Sequence, residues 1–179
     1  VCLLFILLAC IDIPTIDGQP LVAWLVSLQH NVREELDAII KSVLPSNYYT
    51  FRELPKRMFR FANGATLLHK TIDDADGALK AGRVDIALLN EGANLPFIAY
   101  RNVLRATQDK QGVMLIATNT PTRTKGAWVV KLAEGYEKDL REGREPAVKL
   151  FRLDPKQNAA IVQGQAKSII DRALRYGLD

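Results

Sequence analysis

Arg83-Val84-Asp85-Ile86-Ala87-Leu88-Leu89-Asn90-Glu91 is an apolar run broken only by Asp85 and closed by two polar residues. Such a run reads as a buried parallel strand whose polar tip emerges at its carboxyl end. In α/β sheets that end is where the chemistry sits. A second run, Gly112-Val113-Met114-Leu115-Ile116-Ala117, ends in the same way on Thr118-Asn119-Thr120-Pro121. Two such tips side by side point to a nucleotide-hydrolysing core, in which the Glu91 carboxylate polarises an attacking water. Asn90 then stands where such sites usually place the Asp that holds Mg²⁺. These stretches are equally the pattern of two ordinary core strands capped by turn residues, and alone they leave both readings open.

Working outward, Leu21-Val22-Ala23-Trp24-Leu25-Val26 is another buried strand. Asn31 is placed to cap the helix after it, with Val32, Leu36, Ile39, Ile40 and Val43 on one face and Arg33, Glu34, Glu35, Asp37 and Lys41 outward. Pro45 ends that helix. Asn63-Gly64 between two alternating runs is a hairpin signal. His69 follows on the second strand of that ribbon and reads as a surface histidine, with no acid or nucleophile spaced to serve it. Asp73-Asp74-Ala75-Asp76-Gly77 lacks the glutamate and spacing of a calcium loop and reads as a solvated turn before a short helix over 78–81. A helix is expected over 97–107 with Ile98, Val103 and Leu104 inward, and another from Trp128 to about Arg141. A last strand is expected over 147–153 and a final helix over 163–176.

The first ten residues, VCLLFILLAC, are the most apolar. They are half the length of a membrane span, stopped by Asp12 and Pro14, and read as a core helix. A secretory or lipoprotein signal ending at Cys10 is the competing reading. The 179 residues suffice for one domain with a real core. A net charge of +4 without a Lys/Arg block is compatible with phosphate-bearing partners but does not demand them. Two cysteines and two distant histidines match no zinc pattern, so no metal site is expected and a reducing compartment is the easier setting.

The ordered set LVAWLVSLQ, FRFANGATLLHK, GRVDIALLNE and LIATNTPTRTKGAW resembles the ATPase half of the large terminase subunit of tailed bacteriophages. The tail FRLDPKQNAAIVQGQAKSIIDRAL is similar to the segment leading toward that family's nuclease domain. The resemblance implies an ATP- and Mg²⁺-dependent motor that drives double-stranded DNA into a procapsid. Its partners would be the portal, the small terminase subunit and further copies in a ring, in the host cytoplasm and without a membrane. By the same resemblance Glu91 matches the catalytic glutamate at the end of the Walker B strand. Asn90 replaces its metal-coordinating Asp, and an amide carries no charge with which to hold Mg²⁺. Thr118, Asn119 and Thr120 match the coupling motif, and Lys80 or Arg83 lies where the family often carries a basic residue acting on a neighbouring subunit.

No Gly-x4-Gly-Lys-Ser/Thr loop occurs in the chain. Gly164-Gln165-Ala166-Lys167-Ser168 has Ala where the second Gly is required. The resemblance therefore implies a fragment: residues 1–146 as a partial ATPase domain without its Walker A segment, and 147–179 as a strand and helix leading toward the nuclease domain. The expected fold is a three-layer α/β domain of the P-loop NTPase type. Its mainly parallel sheet is expected from residues 21–26, 84–89, 113–117 and 148–153, with a small β-hairpin. Leu4, Leu7, Trp24, Val26, Leu36, Ile40, Ile86, Leu88, Leu115 and Ile116 are its expected core. The alternatives are a secreted or lipid-anchored binding protein, or a basic α/β DNA-binding module using Arg101, Arg105, Arg123 and Lys125.

Overall fold

The computed structural model describes residues 2–13, 15–16, 18–53, 57–72, 84–108, 110–119 and 126–151. The chain divides into two compact units, Val1–Lys131 and Leu132–Asp179. The first opens with helix α1 (Cys2–Asp12), the small antiparallel ribbon β1 (Thr15–Ile16) and β2 (Gln19–Pro20), strand β3 (Val22–Ser27) and helix α2 (His30–Val43). Strands β4 (Tyr49–Arg52), β5 (Met58–Phe61), β6 (Thr66–Thr71) and β7 (Ile86–Asn90) follow. Helix α3 (Phe97–Gln108), strand β8 (Val113–Ala117) and helix α4 (Ala127–Arg141) complete the described elements, and α4 runs on into the second unit.

Among the described residues, six strands form one sheet in the order β4-β5-β6-β3-β7-β8. The four from β6 to β8 are mutually parallel, and the hairpin β4–β5 continues the sheet antiparallel. This is the α/β architecture with a mainly parallel sheet that the sequence predicts, and Asn63-Gly64 indeed turns β5 into β6. The ribbon is not an appendage, however, because β6 pairs with β3 along its whole length.

The strands are apolar because both faces are covered. On one side Ile6, Leu7 and Cys10 of α1 and Ile40 of α2 pack with Ala23, Leu25, Phe59, Leu67, Ile86 and Leu88. The alternate residues Trp24, Val26, Ala87 and Leu89 face the other side and are equally buried. Helix α3 lies against β7 and β8 and contributes its own buried residues Ala99, Val103 and Ala106. Each fully buried Leu or Ile in this core stabilises the fold by roughly 1.5–3 kcal/mol.

The structure corrects several expectations. Leu4 is 56% exposed, because α1 turns Ile6, Leu7 and Cys10 inward and leaves Leu4, Phe5 and Leu8 outside. In α2 only Leu36 and Ile40 reach the core, whereas Ile39 and Val43 are exposed. That helix starts two residues early, so Gln29 occupies the cap position in extended conformation and Asn31 lies within the first turn. Ile98 is exposed on α3. Leu115 and Ile116 are only half-buried, since β8 is an edge strand among the described residues. Residues 147–151 carry no strand, and the expected helices over 78–81 and 163–176 lie outside the described residues. In the second unit Arg144 pairs with Asp139 at 2.7 Å and with Glu142, and Phe151 is open to solvent.

The amino edge of the sheet is drawn together at Asp85. Its amide donates to Val22 O (2.9 Å), its Oδ2 accepts from Val22 N (2.8 Å), and its carbonyl accepts from Val113 N (2.8 Å). Gly112 fits beside it only without a side chain, since a Cβ would lie 2.5 Å from Asp85 O and 2.7 Å from Val84 O. Gly112→Ala should therefore destabilise the fold by about 1–3 kcal/mol. Gly135→Ala, in open space within α4, should stabilise its helix by up to about 1 kcal/mol. Urea denaturation of the two variants measures the contrast, and a neutral Gly112→Ala would contradict this packing.

Candidate functional site

The expected site lies at the carboxyl edge. Asn90 ends β7 opposite Ala117 of β8, which brings the two polar tips together as the sequence predicts. The chain then reverses at Glu91, which is held in the left-handed region at φ 53°, ψ 49°. A non-glycine residue there is uncommon and strained, and such strain clusters at functional positions. The turn it starts, Gly92–Asn94, is a single 3₁₀ turn.

That turn is gripped from three directions. Asn94 Nδ2 donates to Glu91 Oε2 at 3.2 Å, and Asn94 N donates to Glu91 O at 2.8 Å. From β8, Thr118 Oγ1 accepts from Ala93 N at 3.0 Å and donates to Asn119 O at 2.9 Å. From the start of α4, Trp128 Nε1 donates to Leu95 O at 2.9 Å. Gly92 is pressed onto β8 so closely that a Cβ would meet Ile116 Cγ2 at 2.4 Å. Glu91 is thus an exposed carboxylate on a clamped turn, beside the exposed Thr118 and Asn119. Asn94 and Trp128 were not legible as parts of this site, because nothing in their spacing marks a bond back to the turn. Thr120, Lys80 and Arg83, with Arg123 and Lys125, lie outside the described residues.

A second polar cluster, missed by sequence reading, lies buried between α2 and the sheet. His69 is not a surface residue: it points inward with Leu67 and Thr71 on the covered face of β6. Its Nδ1 is 2.9 Å from Asp37 Oδ1, and its Nε2 is 3.2 Å from Ser27 Oγ. Arg57 Nε donates to Asp37 Oδ2. Asp37 is likewise buried rather than outward, one turn before Ile40 on the inward stripe of α2. That shared stripe was the available signal.

The order acid, imidazole, hydroxyl is that of a nucleophilic triad. Ser27, however, has no accessible surface, so no substrate can reach its Oγ. The cluster instead fastens α2 to β3 and β6 through satisfied polar groups. Burial depresses the basicity of His69, with Arg33 and Arg57 nearby adding to the effect against the opposing pull of Asp37. The neutral ring therefore donates Nδ1–H to Asp37 and accepts from Ser27. Burial would raise the Asp37 pKa, but the hydrogen bonds from His69 and Arg57 prevail and hold it below the usual carboxylate value.

Among the described residues no three His, Cys, Asp or Glu side chains are grouped to hold a metal ion. None of the described helices is long and apolar enough to cross a membrane. Cys10 is buried in the core with its thiol pushed up to about 12 by desolvation, as the core-helix reading of the first segment requires. A cavity of about 400 Å³ lined by Gln19, Val22, Arg60, Asp85 and Lys110 opens at the amino edge, at the opposite strand ends from Glu91.

No protein-family model and no curated protein matches the chain. Among solved structures it is similar to the large terminase ATPase domain of Thermus phage P74-26, at 14% identity and a TM-score of 0.46, covering 68% of this chain and 54% of that one. A point mutant of the same domain gives 16% identity and a TM-score of 0.38, covering 57% and 48%. The chain thus spans about half the length of the structures it matches.

The buried cluster predicts how stability depends on pH. His69 has a folded pKa below its ordinary 6.5, so the unfolded chain binds the extra proton first and stability falls as pH drops below 6.5. Asp37, held below 3.8, contributes stability above that value that is lost as pH falls through its folded pKa. Both contributions weaken on acidification, in separate windows. In urea melts from pH 8 to pH 5, His69→Gln should abolish the upper window. Asp37→Ala, which removes the partner of buried His69 and of half-buried Arg57, should cost about 3–5 kcal/mol at neutral pH.

Proposed function

We propose that this chain carries the Glu91 side of a nucleotide-hydrolysing site of the phage large-terminase type, the ATP-driven motor that packages viral DNA. The observation that supports this reading is the joining of two strand tips. Glu91 stands strained at the end of β7, and its turn is hydrogen-bonded to Thr118 at the end of β8. A carboxylate so placed can orient and polarise a water for attack on a terminal phosphate. A hydroxyl on the neighbouring strand, already bonded to the same turn, can register the change when that phosphate leaves.

Mg·ATP would supply the scissile phosphoanhydride and the metal that neutralises its charge. On this reading Glu91 would face the attacking water, Asn90 would stand where a metal-holding Asp is usual without its charge, and Thr118 and Asn119 would lie on the γ-phosphate side. Thr120 belongs to the same segment, and Lys80 or Arg83 would act toward a neighbouring copy. One carboxylate, one amide and a hydroxyl suit those roles, yet they bring no positive charge to the phosphates. The sequence holds no glycine-rich lysine loop that would do so. Double-stranded DNA, the portal, the small subunit and a ring of copies are the partners this reading carries. Host cytoplasm is the location.

Nucleotide affinity should accordingly be weak, with a dissociation constant in the millimolar range, which corresponds to only about 4 kcal/mol. Titrating the isotopically labelled chain with Mg²⁺ and a non-hydrolysable ATP analogue should shift the amides of Asn90 to Leu95, Thr118 and Trp128 and leave Asp85 and Gly112 unmoved. Shifts confined to the amino edge, or none at millimolar nucleotide, would refute the reading.

A further inference from the structure

We propose that the outer face of α3 is a contact surface for single-stranded nucleic acid, with Phe97 as a base-stacking platform and Arg101 and Arg105 as phosphate contacts. Residues 97, 101 and 105 recur every four positions and so share one stripe of the helix. All three are exposed. Phe97 leaves 51% of its surface in solvent, so its ring is accessible to a ligand. Among the described residues, no hydrogen bond or ion pair engages the side chain of Arg101 or Arg105.

The ring is also held rigid from behind. Phe97 stacks on Tyr100 with centroids 5.7 Å apart and planes at 27°, and Tyr100 stacks on Trp128 at 4.8 Å and 27°. Tyr100 is buried, and Trp128 is anchored by its bond to Leu95 O. A stacking series of three therefore ends in an open aromatic face. A base laid on Phe97 would extend the series, and such stacking tolerates any sequence because every base has a π-face. Two exposed guanidinium groups spaced one and two turns along supply the charge complement for the backbone that follows. The bases of a duplex are already stacked on one another, so the open ring selects single strands. The ridge needs no bound nucleotide, and its test stands apart from the reading of the Glu91 turn.

Fluorescence anisotropy with a labelled oligothymidine, over a range of salt, tests this. The wild-type chain should bind the single strand more tightly than the matching duplex. Phe97→Ala should weaken binding by about five- to hundredfold, and Phe97→Trp should retain it. Phe97→Leu keeps an apolar side chain without the π-face and should behave like alanine. Replacing Arg101 and Arg105 together by Ala should lower the slope of log K against log salt by about 1.4, for two phosphates at about 0.7 each. Circular dichroism confirms that the variants fold, as expected for exposed positions. Absence of binding at low salt, equal affinity for duplex, or unchanged binding by Phe97→Ala each overturns the proposal.

Discussion

Three parallel strands begin at one residue. Asp85 fixes the start of β3 through its amide and its carboxylate, and the start of β8 through its carbonyl. Because side chains alternate along a strand, a slip of one residue would turn every core side chain toward the wrong face. Pinning the amino edge therefore pins the opposite edge too. With Ala23 paired to Ile86 and Ile86 to Val113, the ends of the three strands emerge as Ser27, Asn90 and Ala117, a few ångströms apart. Everything polar at the carboxyl edge inherits its place from that register. The cost is a buried carboxylate whose Oδ1 has no partner among the described residues, and a neighbour, Gly112, that can carry no side chain.

The second constraint is the polar cluster under α2. A helix laid on a sheet by apolar contacts alone could slide, since such contacts are non-directional. Asp37, His69 and Ser27 make the seat directional, because each bond has one geometry and leaving any of them unmade is expensive in a dry interior. The hydrogen bonds from His69 and Arg57 hold the Asp37 pKa down, and Arg57 is itself held by Glu53 at the surface. The charge of the cluster is thereby handed from the core to solvent along one side chain. The same burial holds the His69 pKa below its ordinary value and favours the neutral ring.

The long apolar runs were readable because burial on both faces leaves a strand no choice of residue type. Residues 22–27, 86–90 and 113–117 all form strands near where their sequences place them. The hairpin was readable because Asn-Gly answers a local backbone demand. What could not be read depended on partners distant in sequence. The Asp37–His69 bond spans 32 residues, the Ser27–His69 bond 42, and the Trp128–Leu95 bond 33. Helical periodicity assigned Asp37 to the outward face because it is charged, whereas the fold supplied it with a countercharge and a ring. Leu4, Ile39, Val43 and Ile98 erred the other way. Apolar residues at the rim of a stripe need not be covered, since much of any protein surface is apolar.

The Glu91 turn and the aromatic series are one mechanical piece. Trp128 holds Leu95, four residues after Glu91, and stacks on Tyr100, which also stacks on Phe97. Thr118 holds Ala93 from the opposite side. The turn is therefore fixed to β8 at one end and to α3 and α4 at the other, with Gly92 wedged against Ile116 between them. A residue kept at positive φ by contacts on both sides stores strain that any change in those contacts releases. Closely packed interfaces shift between discrete arrangements rather than deforming smoothly. Thr118 and Phe97 are thus joined through bonds and stacked rings already in place.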